Sequence, residues 1–272
     1  MAQFKARNVR LALRMNLFRW IYPLRLRQSL FARASSMLPP LPVTPSGGFP
    51  LVFGDFSLSK LQPTDHGHRF LGWCGFYDLR LSRTLVRLAS SGGILVDVGA
   101  NIGYFSLLWT AYNSKNIALA FEPSPRNQEM LRANIAANRV CQRVEIYPFA
   151  LGKSESIAAF DPGPKEQSGW GGLSLSASNR TIQIRVSPLD ALIPADKPIS
   201  VLKVDTEGAD LWVLMGAEEL LRRKQIQNIF YESNVERMQL LGIGPDEAAG
   251  FLHRFHYKVT QFGDEQFHAA PI

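Results

Sequence analysis

Cysteine is nearly absent: Cys74 and Cys141 are the only two in 272 residues, and they lie far apart in sequence. That excludes a disulfide framework and a zinc-ribbon spacing, and makes a reducing compartment the simpler expectation. Acid is missing from the start of the chain, where no Asp or Glu precedes Asp55 while Lys5, Arg7, Arg10, Arg14, Arg19, Arg25, Arg27 and Arg33 all do. These eight positives exceed the formal net charge of +7, so the remainder is close to neutral and no basic face for nucleic acid is indicated. Long apolar runs are missing too. Arginines interrupt every stretch before Arg33, well short of the roughly 20 residues a span requires, so neither a signal peptide nor a membrane span fits. A cytoplasmic protein, free or peripheral at a membrane, is the expectation; an organellar transit peptide is the other reading of an acid-free, arginine-rich start.

Plotted at about 100° per residue, Phe4, Leu11, Met15, Phe18 and Tyr22 form one apolar stripe and Val9, Leu13, Leu17 and Trp20 another, with arginines between them. Residues 4–33 therefore suit contact with an anionic membrane or, alternatively, capping of the main domain or a partner. Pro39, Pro40, Pro42, Pro45 and Pro50 mark a stiff linker. The expected division is a basic helical appendage over 1–38, a linker over 39–54 and one α/β domain over 55–272, matching what 46% hydrophobic content can bury.

The most informative stretch is Ile94-Leu95-Val96-Asp97-Val98-Gly99-Ala100-Asn101-Ile102-Gly103, a β-branched run that ends in an acid and opens into a small-residue turn before a helical pattern. Gly99 permits a sharp turn, and Gly103 keeps the next helix close enough for its free N–H groups to face a carboxylate or phosphate. A dinucleotide fingerprint needs three glycines, whereas this loop offers two, which weakens a nicotinamide reading. Asp97 suits a cationic amino group, and S-adenosylmethionine carries one beside a carboxylate. A second strand, Asn116–Phe121, ends in Glu122, about 20 residues past the loop, as expected for an acid on ribose hydroxyls. Ser124 and Pro125 then open a helix to about Asn138, with Met130, Leu131 and Ile135 on its buried face.

Together with Phe121-Glu122-Pro123-Ser124-Pro125, the Asn134 and Asn138 pair, Leu202-Lys203-Val204-Asp205-Thr206-Glu207-Gly208, Val213–Ala217 and Tyr231–Asn234, these residues resemble the FkbM family of methyltransferases over about residues 75–235. The resemblance implies a doubly wound, Rossmann-like class I methyltransferase sheet. It also implies transfer of a methyl group from S-adenosylmethionine to a hydroxyl of a sugar, glycolipid or related natural product. The candidate cofactor contacts are Asp97, Gly99, Ala100, Asn101, Gly103, Tyr104, Glu122, Pro123, Ala150 and Asp205. Family members usually place Glu where Asp78 stands, and Asp78 itself reads as the cap of a helix carrying Leu79, Leu81, Leu85, Val86 and Leu88. A silent binding module and a nicotinamide-dependent oxidoreductase are the alternative functions.

Further strands are expected at Val144–Ala150, Thr181–Val186 and Val201–Val204. Chemistry is expected at Lys203, Asp205 and Glu207, which straddle a strand end where ligands of a parallel sheet bind. Removing a proton from a weakly acidic hydroxyl needs a base, and Asp205 and Glu207 are the candidates because neighbouring carboxylates raise each other's pKa. Lys203 either orients a carboxylate or stabilises a developing alkoxide, and the acids with Glu232 offer oxygen ligands for a divalent metal such as magnesium. Glu207 has a second reading as a helix cap. Trp170, in a Gly/Ser-rich connection, suits stacking on a sugar face, and Glu232 and Asn234 suit acceptor contact; Asn234 equally suits an Asx turn opening the helix of Met238. His66 and His68, beside Asp65, form a weak metal candidate without a third ligand.

Overall fold

A computed structural model describes residues 14–45, 47–176 and 178–272. The first stripe residues, Phe4, Val9, Leu11 and Leu13, lie outside the described residues.

In chain order, helix α1 (Leu24–Ala34) is followed by a ribbon of β1 (Phe49–Pro50) and β2 (Ser57–Leu58), then by α2 (His66–Cys74) and α3 (Leu79–Ala89). The central elements are β3 (Ile94–Val98), α4 (Tyr104–Ala111), β4 (Ile117–Phe121), α5 (Pro125–Ala137) and β5 (Val144–Tyr147). An insertion supplies β6 (Ala150–Leu151), β7 (Ser156–Asp161), β8 (Gly172–Leu173) and β9 (Ile182–Ser187). The chain then returns through β10 (Val201–Val204), α6 (Asp210–Met215), α7 (Glu218–Arg222), β11 (Ile229–Glu232), α8 (Val235–Leu240), α9 (Glu247–Arg254), β12 (Tyr257–Gln261) and β13 (Gln266–Pro271).

Seven strands form the main sheet in the order β12-β13-β11-β10-β3-β4-β5. Five strands, β11-β10-β3-β4-β5, run parallel, and β13 runs antiparallel to both of its neighbours. Alternation along β3 explains the layering. Leu95 joins the core under α3, α4 and α5, while Val96 and Val98 join a second core under α6, α7 and α9. The strand order reverses between β3 and β10, so their carboxyl ends open a crevice at a topological switch point.

Several sequence expectations are corrected. The run Val144–Ala150 is not one strand: Pro148, which has no N–H to donate, separates β5 in the main sheet from β6 in a four-stranded second sheet ordered β6-β9-β7-β8. Strand β7 had no alternating signature because Phe160 is its only buried residue, yet it pairs with β9 from Ser156 to Phe160. The segment 39–54, expected as a linker, is packed down, with Leu41, Phe49 and Leu51 buried. Gly72 leaves room for Leu41, whose Cδ2 would lie 2.2 Å from an added Cβ. Helix α1 lies against α2, with Phe31 and Phe70 edge to face at 5.1 Å. Among the described residues no helix is long and apolar enough to cross a membrane.

Asn134 and Asn138 have a structural explanation. Asn134 Oδ1 accepts from the backbone N–H groups of Ser59 and Lys60, both at 2.9 Å, while its Nδ2 donates to Ile102 O at 3.0 Å. Asn138 exchanges hydrogen bonds with both backbone groups of Ser57. The pair thus straps the N-terminal ribbon to α5 and ties α5 to the loop after β3. Because Asn134 is fully buried, Asn134→Ala strands several polar groups and should lower unfolding free energy by about 3 kcal/mol, measured by urea denaturation.

Candidate active site

The loop after β3 is shaped by one close approach. Gly99 has φ +72°, and a Cβ there would lie 1.9 Å from the Asp205 carbonyl oxygen. Any other residue would push β3 and β10 apart at their carboxyl ends, where the cavity begins. Gly103 instead faces α5, where an added Cβ would meet Leu131 at 2.5 Å, so this glycine seats α4 against its neighbour rather than facing the cavity.

Beneath the loop lies a buried ion cluster. Lys203 Nζ sits 3.2 Å from Asp97 Oδ1 and 3.4 Å from Asp205 Oδ2, and donates to the carbonyls of Gly99 at 3.0 Å and Val98 at 3.3 Å. Burial works against the lysine's charge, but Asp97 and Asp205 outweigh it and raise its pKa above the ordinary value. Asp97 is fully buried and also accepts from Ser106 Oγ at 2.7 Å. The ammonium group that Asp97 meets is therefore the protein's own, which corrects the expectation of direct contact with a cofactor amino group. Asp205 differs: its side chain is 35% exposed and lines the cavity.

That cavity encloses about 1050 Å³ and brings together residues from both halves of the sheet. Ala100, Asn101, Tyr104, Glu122, Pro123 and Ala150 line one side, and Glu207, Glu232, Asn234 and Trp170 the other, with Gly99, Lys203 and Asp205 between them. Glu122 accepts from the N–H of Asn101 at 2.8 Å and of Ser124 at 2.9 Å. Burial pushes its pKa up to about 7 despite these donors. Among the described residues, the buried Oδ1 atoms of Asn101 and Asn127 have no hydrogen-bond partner, which leaves them as acceptors.

On the opposite side, Glu207 adopts φ +56°, a strained value for a non-glycine, in the turn between β10 and α6. It accepts from Asn234 Nδ2 at 3.3 Å and lies 3.7 Å from Arg237 Nε. It does not cap α6, whose N-cap position is Ala209. Burial, with a smaller contribution from Asp205, pushes Glu207 up to about 7. Burial followed by Asp205 likewise raises the Glu232 pKa well above the ordinary carboxylate range. Asn234 opens α8 as the turn residue expected: its Oδ1 accepts from Arg237 N, while its Nδ2 donates to Glu207. Asp78 caps α3 through Leu81 N.

Sequence reasoning missed Asp210, which is buried and receives Thr206 Oγ1 at 2.6 Å and Glu232 N at 3.0 Å, coupling the turn after β10 to β11. Its position in the first turn of α6 was the available signal. It also missed a polar bracket beneath Trp170. Asp65 accepts from Ser168 N at 2.6 Å, His68 Nε2 meets Ser168 Oγ at 3.2 Å, and Asn127 donates to Ser168 O at 3.2 Å. His68 is consumed by this bracket. Among the described residues, no group of three or more His, Cys, Asp or Glu is placed to hold a metal ion.

A switch-point crevice with an acid after the second strand, on a sheet of this order, defines a Rossmann-like class I methyltransferase fold. The chain belongs to the FkbM methyltransferase family, whose domain matches residues 97–259. It is 31% identical over 149 residues to the hexuronic acid methyltransferase AglP of Haloferax volcanii, covering 53% of this chain and 60% of that protein. It is 27% identical over 149 residues to methyltransferase 1 of Beauveria bassiana, covering 46% and 58%. A solved FkbM methyltransferase from Methylobacillus flagellatus superposes with a TM-score of 0.46 at 16% identity, covering 65% of this chain and 43% of that one. The chain spans about three fifths of the length of the curated relatives it matches.

Removing the ammonium tests the ion cluster. Lys203→Met leaves Asp97 buried without its ammonium partner and should destabilise the protein by about 3–5 kcal/mol in urea unfolding.

Proposed function

We propose that the protein transfers a methyl group from S-adenosylmethionine to a hydroxyl oxygen of a carbohydrate-type acceptor, with Asp205 as the proton acceptor. The observation that carries this reading is Asp205 itself: a cavity-lining carboxylate aimed by a buried lysine, between the Glu122 side and the Glu232 side. The residues present fit the cofactor. Glu122 and the unpartnered Oδ1 atoms of Asn101 and Asn127 supply acceptors for ribose hydroxyls and an adenine amino group, and the first turn of α4 suits a carboxylate. When bound, S-adenosylmethionine supplies an electrophilic methyl group to an oxygen nucleophile.

The chain's own residues supply alignment and proton removal. A sugar hydroxyl is too weakly acidic to ionise at neutral pH, so its proton must leave as the oxygen attacks. Glu232, whose pKa is raised by burial and by Asp205, can when protonated donate to the acceptor or to Asp205. Lys203 fixes the Asp205 carboxylate from the floor of the cavity. Trp170, half-exposed over the cavity, offers a stacking face for a sugar ring, and Arg237 holds its backbone by donating to Trp170 O at 2.7 Å. The relationship to a hexuronic acid methyltransferase supports the carbohydrate class.

Two outcomes are expected. Asp205→Asn should bind S-adenosylhomocysteine within about threefold of the unaltered protein while methyl transfer to uronic acid and hexose acceptors falls about 100-fold or more. Unchanged single-turnover transfer would remove Asp205 from the reaction. Because only ionised Glu122 accepts fully from ribose hydroxyls, and its pKa lies near 7, affinity for S-adenosylhomocysteine should rise about tenfold from pH 6 to pH 8. Titration calorimetry should show this rise disappearing in Glu122→Gln.

A further inference from the structure

The corner of chain between residues 17 and 26 is anchored from within by one set of side chains and shows a second apolar set outward. Inside, Phe18 meets Trp73 edge to face at 5.7 Å, and Arg19 donates to Gly72 O at 2.9 Å and Pro50 O at 2.7 Å. Arg27 donates to Cys74 O at 2.6 Å and Ile21 O at 3.1 Å, while Leu24 and Phe31 complete the buried stripe of α1. Outside, Leu17, Trp20 and Tyr22 are 71%, 85% and 77% exposed, and Leu26 continues the surface onto α1. Backbone hydrogen bonds from Trp20 to Leu17 and from Leu26 to Pro23 hold these residues at one bend.

The surroundings indicate what covers it. Arg14, Arg25 and Arg33 are exposed on the same segment, and none makes a salt bridge among the described residues. No acid occurs anywhere before Asp55. A second copy of the chain would bring the same arginines and be repelled, whereas an anionic bilayer offers opposite charge and an interfacial zone that favours Trp and Tyr. Gln28, on the same helix, lines the cavity.

We propose that Leu17, Trp20, Tyr22 and Leu26, ringed by Arg14, Arg25 and Arg33, dock the protein on an anionic phospholipid surface, with the mouth of the cavity beside the headgroups. The apolar side chains insert shallowly while the guanidinium groups meet lipid phosphates. This placement goes beyond methyl transfer and does not depend on it; it would give the cavity access to an acceptor carried at a membrane surface.

Flotation of the full chain with vesicles tests it. At about 0.05 M salt, binding to phosphatidylcholine vesicles containing about 30% phosphatidylserine should exceed binding to pure phosphatidylcholine by about tenfold, and fall toward it at about 0.5 M. Combined Leu17→Ser, Trp20→Ser and Tyr22→Ser should lose about tenfold, and so should combined Arg25→Glu and Arg33→Glu, whose sites are exposed and leave the fold intact. Both variants should keep the S-adenosylhomocysteine affinity and circular dichroism of the unaltered protein. Equal binding to neutral vesicles, no vesicle binding, or unaltered binding by the charge-reversed variant overturns the proposal. So does light scattering that shows a dimer which the triple variant dissociates.

Discussion

One buried ammonium group organises the centre of this protein. Lys203 Nζ binds two acids and two main-chain carbonyls at the junction of β3 and β10, where the strand order reverses and the crevice opens. Burying a charge is costly, and this one is retained because every neighbour compensates it: Asp97 from below, Asp205 from the cavity side, and the carbonyls of Val98 and Gly99 from the turn. The same contacts fix the path of the loop and the direction of the Asp205 carboxylate. Gly99 allows this closeness, since the Asp205 carbonyl occupies the space a side chain would need.

Around that centre, burial does most of the electrostatic tuning. Glu122, Glu207 and Glu232 all stand above the ordinary carboxylate range, chiefly because they are removed from water, with Asp205 adding to the last two. Ionised acids grouped at one cavity repel one another, which is why Asp205 adds to the rise at Glu207 and Glu232. Asp210 links the parts, because one carboxylate holds both the Thr206 turn and the start of the chain leaving β11.

The N-terminal segment is more closely joined to the domain than an appendage on a linker. Its arginines do two jobs that composition alone cannot separate. Arg19 and Arg27 turn inward and satisfy backbone carbonyls at the end of α2, whereas Arg14, Arg25 and Arg33 stay in water. The ribbon that follows is strapped to α5 by Asn134 and Asn138, and α2 grips the loop bearing Trp170 through Asp65 and His68. Segments preceding the sheet therefore form part of the cavity wall.

Local patterns were legible wherever physics acts over a few residues. The β-branched run into Gly99, the acid after β4, Pro125 at the start of α5 and the caps at Asp78 and Asn234 follow from backbone sterics and nearby hydrogen-bonding groups. Strand β7 and the β12–β13 hairpin were not legible, because their stability comes from partners rather than from an alternating face of their own. The same division runs through the site. By itself the sequence determined which residues cluster at strand ends, since the parallel sheet sends all those ends one way. Only the tertiary structure decided that Asp97 faces a lysine rather than the cavity, that Gly103 serves a helix contact, and that His68 closes a polar bracket. Each of those roles depends on the atom across the gap, which comes from a distant part of the chain.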